Sequence, residues 1–186
     1  LAEERLLTTV RGRGTFVASR AVEPLLEGRL RSLSEDFAAQ GVSSTTTVLS
    51  SSVGRLPLAV QALLDVPAGT PALRLERGFT GSEGPLAYLV NYVRADLCPG
   101  IESTDFAHRA LFDVIERDHG LRIADGRRTF GAHAARPEVA SNLGVDVGCP
   151  VLYLEQISYL DDGRPVEYSD VWVTTSRITV TSVLRR

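Results

Sequence analysis

The chain has 186 residues, a net charge of −3 and 44% hydrophobic residues, which suits one folded core of ordinary size and a fragment of a second domain. No signal peptide is visible and no apolar run approaches the ~20 residues of a membrane span, so we expect a cytoplasmic protein with no membrane partner. The two cysteines and three histidines lack metal-ligand spacing, so we expect no metal and no other cofactor. Because the sequence contains no methionine, we expect the natural protein to extend before Leu1.

Residues 1–17 are predicted to form a helix end, a short strand, a tight turn and a returning strand. Two glycines in the turn permit positive φ and leave Arg11 and Arg13 at its tip. Two guanidinium groups on a narrow hairpin suit a phosphate backbone or a minor groove. A solvated turn is the alternative, and charge alone favours it. Residues 18–28 are polar and contain Pro24, so we predict a linker there.

Helices and strands then alternate along the chain. The patterns predict helices at 31–41, 57–64 and 106–120, strands at 43–52, 72–80, 86–93 and 127–136, a second hairpin that turns at 161–163, and a closing strand at 177–184. This order predicts an α+β fold with a mainly antiparallel sheet and flanking helices.

A repeat organises most of these elements. Residues 60–93 resemble residues 139–173 at a nearly constant offset. The matched positions are Val66, Gly69, Pro71, Leu73, Leu75, Glu76, Gly84, Pro85, Tyr88, Tyr92 and Val93, which recur as Val145, Gly148, Pro150, Leu152, Leu154, Glu155, Gly163, Pro165, Tyr168, Trp172 and Val173. The match predicts a duplicated helix-hairpin unit, with two similar hairpins in one sheet.

Strand alternation predicts a pocket on one face of these hairpins. Arg77 continues an apolar face and therefore needs an anionic or hydrogen-bonding partner if it is buried. Gln156 holds the equivalent place in the second copy. Along the same strands and their partners, alternation brings Phe79, Leu89, Asn91, Glu167 and Ser169 to this face.

Two interpretations of this face are about equally supported by the pattern. Arg77 and Glu167 could hold the two ends of a small polar ligand, with Asn91, Gln156 and Ser169 as neutral hydrogen-bonding groups. Alternatively, Arg77 and Glu167 form an internal ion pair that only closes the sheet. The aromatic residues Tyr88, Tyr168 and Trp172 fall on the opposite face, where we expect helices to cover them.

Two stretches resemble known families. The string from Arg11 to Val17 resembles the wing of the winged helix-turn-helix domain in GntR-type transcription regulators. From Leu30 onward the chain resembles the UTRA effector-binding domain of the HutC branch, whose fold is similar to chorismate lyase. The most recognisable parts are 75–77, 110–120, 140–150 and 163–169. The resemblance implies a wing at 1–17, a linker at 18–28 and an effector-binding domain at 29–186.

The resemblance also implies a function. It predicts a ligand-responsive, DNA-binding regulator, usually a repressor, that acts as a homodimer on operator DNA. Arg11, Gly12, Arg13 and Thr15 would contact the DNA. A chorismate-lyase-like enzyme acting on a small carboxylate is the alternative. The candidate face disfavours it, because it offers no Ser-His-Asp set, metal cluster or paired carboxylates.

For the effector, the resemblance implies contacts from Arg77 and Glu167. Members that bind sugar phosphates often have a second arginine two residues on and a serine that opens the middle helix, whereas this chain has Phe79 and Ala110. Without that guanidinium and hydroxyl, a phosphate would lose charge-assisted contacts. We therefore expect a less anionic, partly apolar effector that is not a phosphosugar.

Overall fold

The computed structural model describes residues 7–10, 14–17, 30–39, 41–178 and 180. The predicted linker at 18–28, the turn residues Arg11, Gly12 and Arg13, and most of the predicted closing strand at 177–184 lie outside this part of the chain. At the N-terminal end, β1 (Leu7–Val10) pairs with β2 (Gly14–Val17) as an antiparallel two-stranded sheet. This pairing agrees with the predicted hairpin.

A six-stranded antiparallel sheet forms the main body and confirms the α+β prediction. Its strands are β3 (Ser44–Arg55), β4 (Pro71–Gly81), β5 (Gly84–Arg94), β6 (Ile123–Ala134), β7 (Pro150–Leu160) and β8 (Pro165–Thr174), in the order β3-β4-β5-β8-β7-β6. The helices are α1 (Leu33–Ala39), α2 (Leu58–Leu64), α3 (Leu111–Arg117) and α4 (Pro137–Leu143), with a 3₁₀ turn at Ile101–Ser103. Within the described ranges, none of the helices has the length and apolar character needed to cross a membrane.

The repeat appears as two halves of this sheet, β3-α2-β4-β5 and β6-α4-β7-β8, which meet where β5 pairs with β8. Each half therefore contains one strand more than the matched sequence. The halves also share a backbone detail at the end of the covering helix. Asp65 after α2 and Gly144 after α4 both have left-handed conformations, with φ of 48° and 63°, which end the helices in the same way.

Helices α2 and α4 cover one face of the sheet, which we call the back. Tyr88 and Trp172 stack with ring centroids 5.4 Å apart and pack in one buried cluster with Leu143 of α4. Tyr168 packs in a neighbouring cluster with Leu64 of α2. The prediction that helices cover these aromatic residues is confirmed.

The opposite face, which we call the front, is covered by α3 at one end and α1 at the other. Leu111 and Ile115 of α3 pack with Leu73 of β4. At the other end, Leu33 and Phe37 of α1 join a separate cluster that includes Phe79 and Leu89. Since the two helices cover different ends, they leave a gap over the centre of the sheet.

Helix α3 is shorter than the helix predicted at 106–120. It begins after Ala110, whose backbone is extended at φ −70° and ψ 138°. Before it, the Asp105 carboxylate accepts a hydrogen bond from the Ala107 N–H, which stabilises a turn in place of the first predicted helical turn. The apolar spacing was therefore correct for the second part of the segment only.

Candidate functional site

A small cavity of about 30 Å³ lies in the gap on the front face, between α1 and α3. Its lining includes all seven positions predicted for the effector, namely Arg77, Phe79, Leu89, Asn91, Gln156, Glu167 and Ser169. The structure thus brings the seven side chains together, and their role in binding stays a prediction. The remaining lining residues are Ser32, Leu33, Ser34, Leu111, Phe112, Arg128, Leu154 and Val171.

Strand register explains why these residues meet. Asn91 of β5 lies opposite Ser169 of β8, and Ser169 in turn lies opposite Gln156 of β7. Gln156 lies opposite Arg128 of β6. Directly opposed residues in antiparallel strands point to the same face, so one polar row crosses four strands. Arg77 lies in the adjacent row, opposite Leu89.

Asn91 connects the two charged residues of the predicted site. Arg77 Nη2 donates a hydrogen bond of 2.9 Å to Asn91 Oδ1, and Asn91 Nδ2 donates one of 2.9 Å to Glu167 Oε1. The other oxygen, Glu167 Oε2, accepts a bond of 2.8 Å from Ser158 Oγ. A neutral amide therefore bridges the charges that the alternative interpretation joined directly.

The Arg77 guanidinium is buried with part of its hydrogen-bonding capacity unused. The side chain is 4% exposed, and among the described residues its buried Nε finds no hydrogen-bond acceptor. Burial lowers the pKa of Arg77 to about 10, against the attraction of Glu167, so the group remains charged at neutral pH. A buried donor without a partner costs about 1–3 kcal/mol, and an acceptor placed in the cavity would remove that cost.

Glu167 is fully buried. Burial raises the pKa of its carboxyl, while hydrogen bonds from Asn91 and Ser158 and the charge of Arg77 act in the opposite direction. The carboxylate can accept a hydrogen bond from a ligand hydroxyl or amine, and its protonated form can donate one. Beside these polar groups, Phe79 and Leu89 supply an apolar wall, with the Phe79 ring centre 5.7 Å from the Arg77 guanidinium carbon.

Sequence reasoning missed several contributors to the cavity. Arg128 is the most informative, because its Nε donates a hydrogen bond to Gln156 Oε1. The structure extends the repeat back by one strand, since Arg128 opposes Gln156 as Val48 opposes Arg77, but no matching residues mark this part of the repeat in the sequence. The α1 and α3 residues gave no comparable signal, because strand alternation does not identify the helices that cover a face.

Comparisons with known proteins agree with this fold. A family model described as the UTRA domain matches residues 39–179. An HTH-type transcriptional regulator of Mycobacterium tuberculosis is 32% identical over 170 residues, which are 90% of this chain and 62% of that protein. The HTH-type transcriptional repressor NagR of Bacillus subtilis is 26% identical over 169 residues, with 91% of this chain and 69% of that protein covered.

A solved structure extends the similarity to three dimensions. The crystal structure of PhnF from Mycobacterium smegmatis has a TM-score of 0.79 and 26% identity, and the match covers 100% of this chain and 80% of that one. The chain spans less than two thirds of the M. tuberculosis regulator. Because the UTRA model matches well over half of the sequence, the chain belongs to the UTRA domain family.

Proposed function

We propose that this chain holds the effector-binding domain and the end of the DNA-binding domain of a ligand-responsive transcription regulator that acts as a repressor. The observation that carries the proposal is the cavity, where Arg77 and Glu167 are buried and Arg77 Nε finds no acceptor among the described residues. Folding tolerates such groups at a cost, and binding sites commonly contain them. The relatives support the wider role, because they are named HTH-type transcriptional regulators or repressors.

The effector in this proposal carries a polar end and an apolar part. Arg77, Asn91 and Gln156 offer charged and neutral hydrogen-bonding groups, while Phe79 and Leu89 offer apolar surface. Phe79 is 1% exposed and packs edge-on against Phe37, with ring centroids 5.9 Å apart. An aromatic ring thus fills the position at which phosphosugar-binding members often have a second arginine, which supports an effector other than a phosphosugar.

The DNA-binding part of the proposal concerns the N-terminal hairpin. Strands β1 and β2 pair with Val10 opposite Gly14. We propose that Arg11, Gly12, Arg13 and Thr15 at this hairpin contact operator DNA, chiefly through its phosphates. Residues 1–17 would then belong to the DNA-binding domain, 18–28 to the linker and 29–186 to the effector-binding domain.

In the proposed mechanism, two copies form a homodimer and present two winged helices to a two-fold operator. Effector binding changes the placement of the winged helices through the linker at 18–28. A coupling free energy of about 1–3 kcal/mol between the sites would change operator affinity by roughly 5- to 150-fold. The proposal leaves open whether the effector releases or promotes DNA binding.

An enzyme of the chorismate-lyase type is the weaker alternative. The relatives are named as transcriptional regulators and repressors. Among the described lining residues the cavity has one carboxylate, Glu167, and no histidine, cysteine or lysine, so it offers neither paired carboxylates nor a Ser-His-Asp set. Binding rather than turnover is therefore the function that the site supports.

Operator binding is the direct test of the wider proposal. The regulator in its natural length should shift DNA from its own promoter region at low salt, as measured by fluorescence anisotropy. Replacing Arg11 and Arg13 by alanine should weaken that binding, because each guanidinium neutralises a phosphate. A matched variant with Arg127→Ala, on an exposed part of β6, should bind like the wild type. Absence of operator binding by the wild type would remove the proposal.

A further inference from the structure

We propose that Arg128 is the second cationic contact for the effector, and that it holds α1 over the cavity until a carboxylate on the effector takes over its hydrogen bonds. We call this arrangement, in which Arg128 joins Gln156 to Arg31 and Asp36, the Arg128 clasp. The inference rests on the proposed function, because it names the ligand class and the moving element of the same cavity.

The clasp connects the floor of the cavity to its cover. Arg128 Nε donates to Gln156 Oε1 on the floor at 2.5 Å. Its Nη2 donates to the Arg31 carbonyl oxygen at 2.5 Å and lies 3.5 Å from Asp36 Oδ2. The Arg128 side chain is 12% exposed and that of Asp36 6%. One largely buried guanidinium therefore contacts both the sheet and the segment that contains α1.

Helix α1 depends on such contacts for its position. It has seven residues, too few to be stable as an isolated helix. Its apolar attachment consists of Leu33 and Phe37, which pack in the cluster around Phe79. Burial raises the pKa of Asp36 to about 6 even though Arg128 and Arg31 lower it. Keeping the Asp36 carboxylate ionised in this buried position costs free energy. A carboxylate on the ligand can therefore replace Asp36 as the partner of Arg128.

The size of the cavity requires that something move. Its volume of about 30 Å³ accommodates roughly one water molecule, whereas pockets for small organic ligands have about 300–1,000 Å³. The floor belongs to strands paired along most of their length, and α3 packs through several buried residues. Ser32, Leu33 and Ser34 form the remaining wall. Displacement of α1 is therefore the least costly way to enlarge the site.

A carboxylate fits the groups present. The guanidinium forks of Arg77 and Arg128 match a planar carboxylate better than a compact hydroxyl or amide. Arg77 of β4 and Arg128 of β6 are the two guanidinium groups among the described residues that line the cavity. One carboxylate also carries less negative charge than a phosphate, in line with the less anionic effector expected from the sequence.

Movement of α1 would reach the DNA-binding part directly. Helix α1 is the first helix after the proposed linker at 18–28. A ligand that frees Arg31 and Asp36 from Arg128 changes the point at which the linker is attached to the sheet domain. Helix α1 is then the element that couples the two sites, with one position in which Arg128 holds it and another in which the ligand has released it.

Hydrogen exchange measured by mass spectrometry tests the clasp without any ligand. In Arg128→Gln, amides 33–39 should exchange about tenfold faster, a factor that corresponds to about 1.4 kcal/mol. Amides of α4 should be unchanged, and so should α1 in the control Arg127→Gln, whose side chain is exposed. Arg128→Lys keeps the positive charge but lacks the forked guanidinium, so its exchange rate at amides 33–39 should lie between those of the wild type and Arg128→Gln. If the α1 amides of Arg128→Gln exchange at the wild-type rate, the proposed role of Arg128 is wrong. If the glutamine variant does not fold, the same result in Arg128→Lys refutes the proposal.

Carboxylate probes test the ligand class in the same assay. Benzoate, phenylacetate and cyclohexanecarboxylate are compared with benzamide, phenylacetamide and cyclohexanecarboxamide at millimolar concentration. At least one acid should accelerate exchange of amides 33–39 in the wild type but not in Arg128→Gln, and its amide should have no effect. Equal effects of acid and amide, or no effect of any acid, would overturn the carboxylate assignment. Operator binding is measured separately, so failure of the regulator proposal is distinguishable from failure of the clasp.

Discussion

Asn91 lies between Arg77 and Glu167 and hydrogen-bonds both, accepting from the guanidinium and donating to the carboxylate at 2.9 Å each. The amide thereby couples two buried charges, and Arg77, which lines the cavity, keeps a buried Nε without an acceptor among the described residues. A ligand acceptor could bind that nitrogen without breaking the bridge. The arrangement therefore stabilises both buried charges and leaves one charged donor, Arg77 Nε, for recognition.

Removing the bridge should destabilise the fold. In Asn91→Ala, both charged groups lose a hydrogen bond while they stay buried, so the free energy of unfolding should fall by about 3 kcal/mol. Urea denaturation of the chain measures it. The matched control is Asn142→Ala, which removes a bond to the Glu138 carbonyl at the exposed side of α4 and should cost less than about 1 kcal/mol. Equal losses in the two variants would contradict the role of Asn91.

Arg77 and Glu167 should be energetically coupled although Asn91 separates them. In Arg77→Met the buried Glu167 loses an opposing charge, and Glu167→Gln removes the charge that attracts Arg77. Since replacing both partners leaves no uncompensated charge, the double variant should lose about 1–3 kcal/mol less stability than the sum of the single variants. A double-mutant cycle by urea denaturation gives this coupling energy. Strictly additive losses would show that the two charges act independently.

Stability should depend on pH through Asp36. Its pKa is raised from 3.8 to about 6 in the folded chain, so the folded state binds this proton more tightly than the unfolded state. The free energy of unfolding should therefore decrease as pH rises from about 4 to about 6, by on the order of 2–3 kcal/mol, and this contribution should be constant above that range.

The variant Asp36→Asn isolates this contribution, because Glu167, whose pKa is also raised, keeps its own pH dependence in both proteins. The difference between wild type and Asp36→Asn, measured by urea denaturation across the same pH range, should slope in the stated direction. Parallel pH profiles would contradict the assignment to Asp36.

Phe79 should contribute to stability as well as to the site. Truncating this fully packed ring in Phe79→Ala removes its contacts with Phe37 and Arg77 and should cost about 3–5 kcal/mol. Amides of α1 should also exchange faster, because Phe37 anchors that helix. The exposed Val147, at 66% exposure, provides the control Val147→Ala, which should change stability by less than about 0.5 kcal/mol. Thermal unfolding with a near-wild-type midpoint for Phe79→Ala would refute the packing role.

Much of the candidate site followed from the period of two along the strands. Arg77 and Gln156 were found because alternation and the repeat together fix both the face and the equivalent position. Arg128 was missed because its strand lies before the part of the repeat where identities are kept. The cover from α1 and α3 was missed for a different reason. Packing of a helix on a sheet joins residues distant in sequence, and a local pattern shows only that a helix has an apolar side.

The start of α3 shows a second limit. The apolar positions predicted a helix from 106, but the Asp105 side chain bonds the Ala107 N–H and favours a turn. Competition of this kind depends on one short polar side chain, which hydrophobic spacing does not register.

The predicted DNA contacts at Arg11, Gly12, Arg13 and Thr15 stay predictions.

Isothermal titration of small metabolites tests the central claim, that this cavity binds the effector, most directly. A panel of carboxylates with apolar parts, together with sugars and sugar phosphates, is titrated into the wild type, Arg77→Ala, Glu167→Ala and the control Arg127→Ala. We predict that a compound bound by the wild type loses at least about tenfold in affinity, or about 1.4 kcal/mol, in both cavity variants and keeps its affinity in the control. A bound compound whose affinity is the same in all four proteins would show that the effector site lies elsewhere.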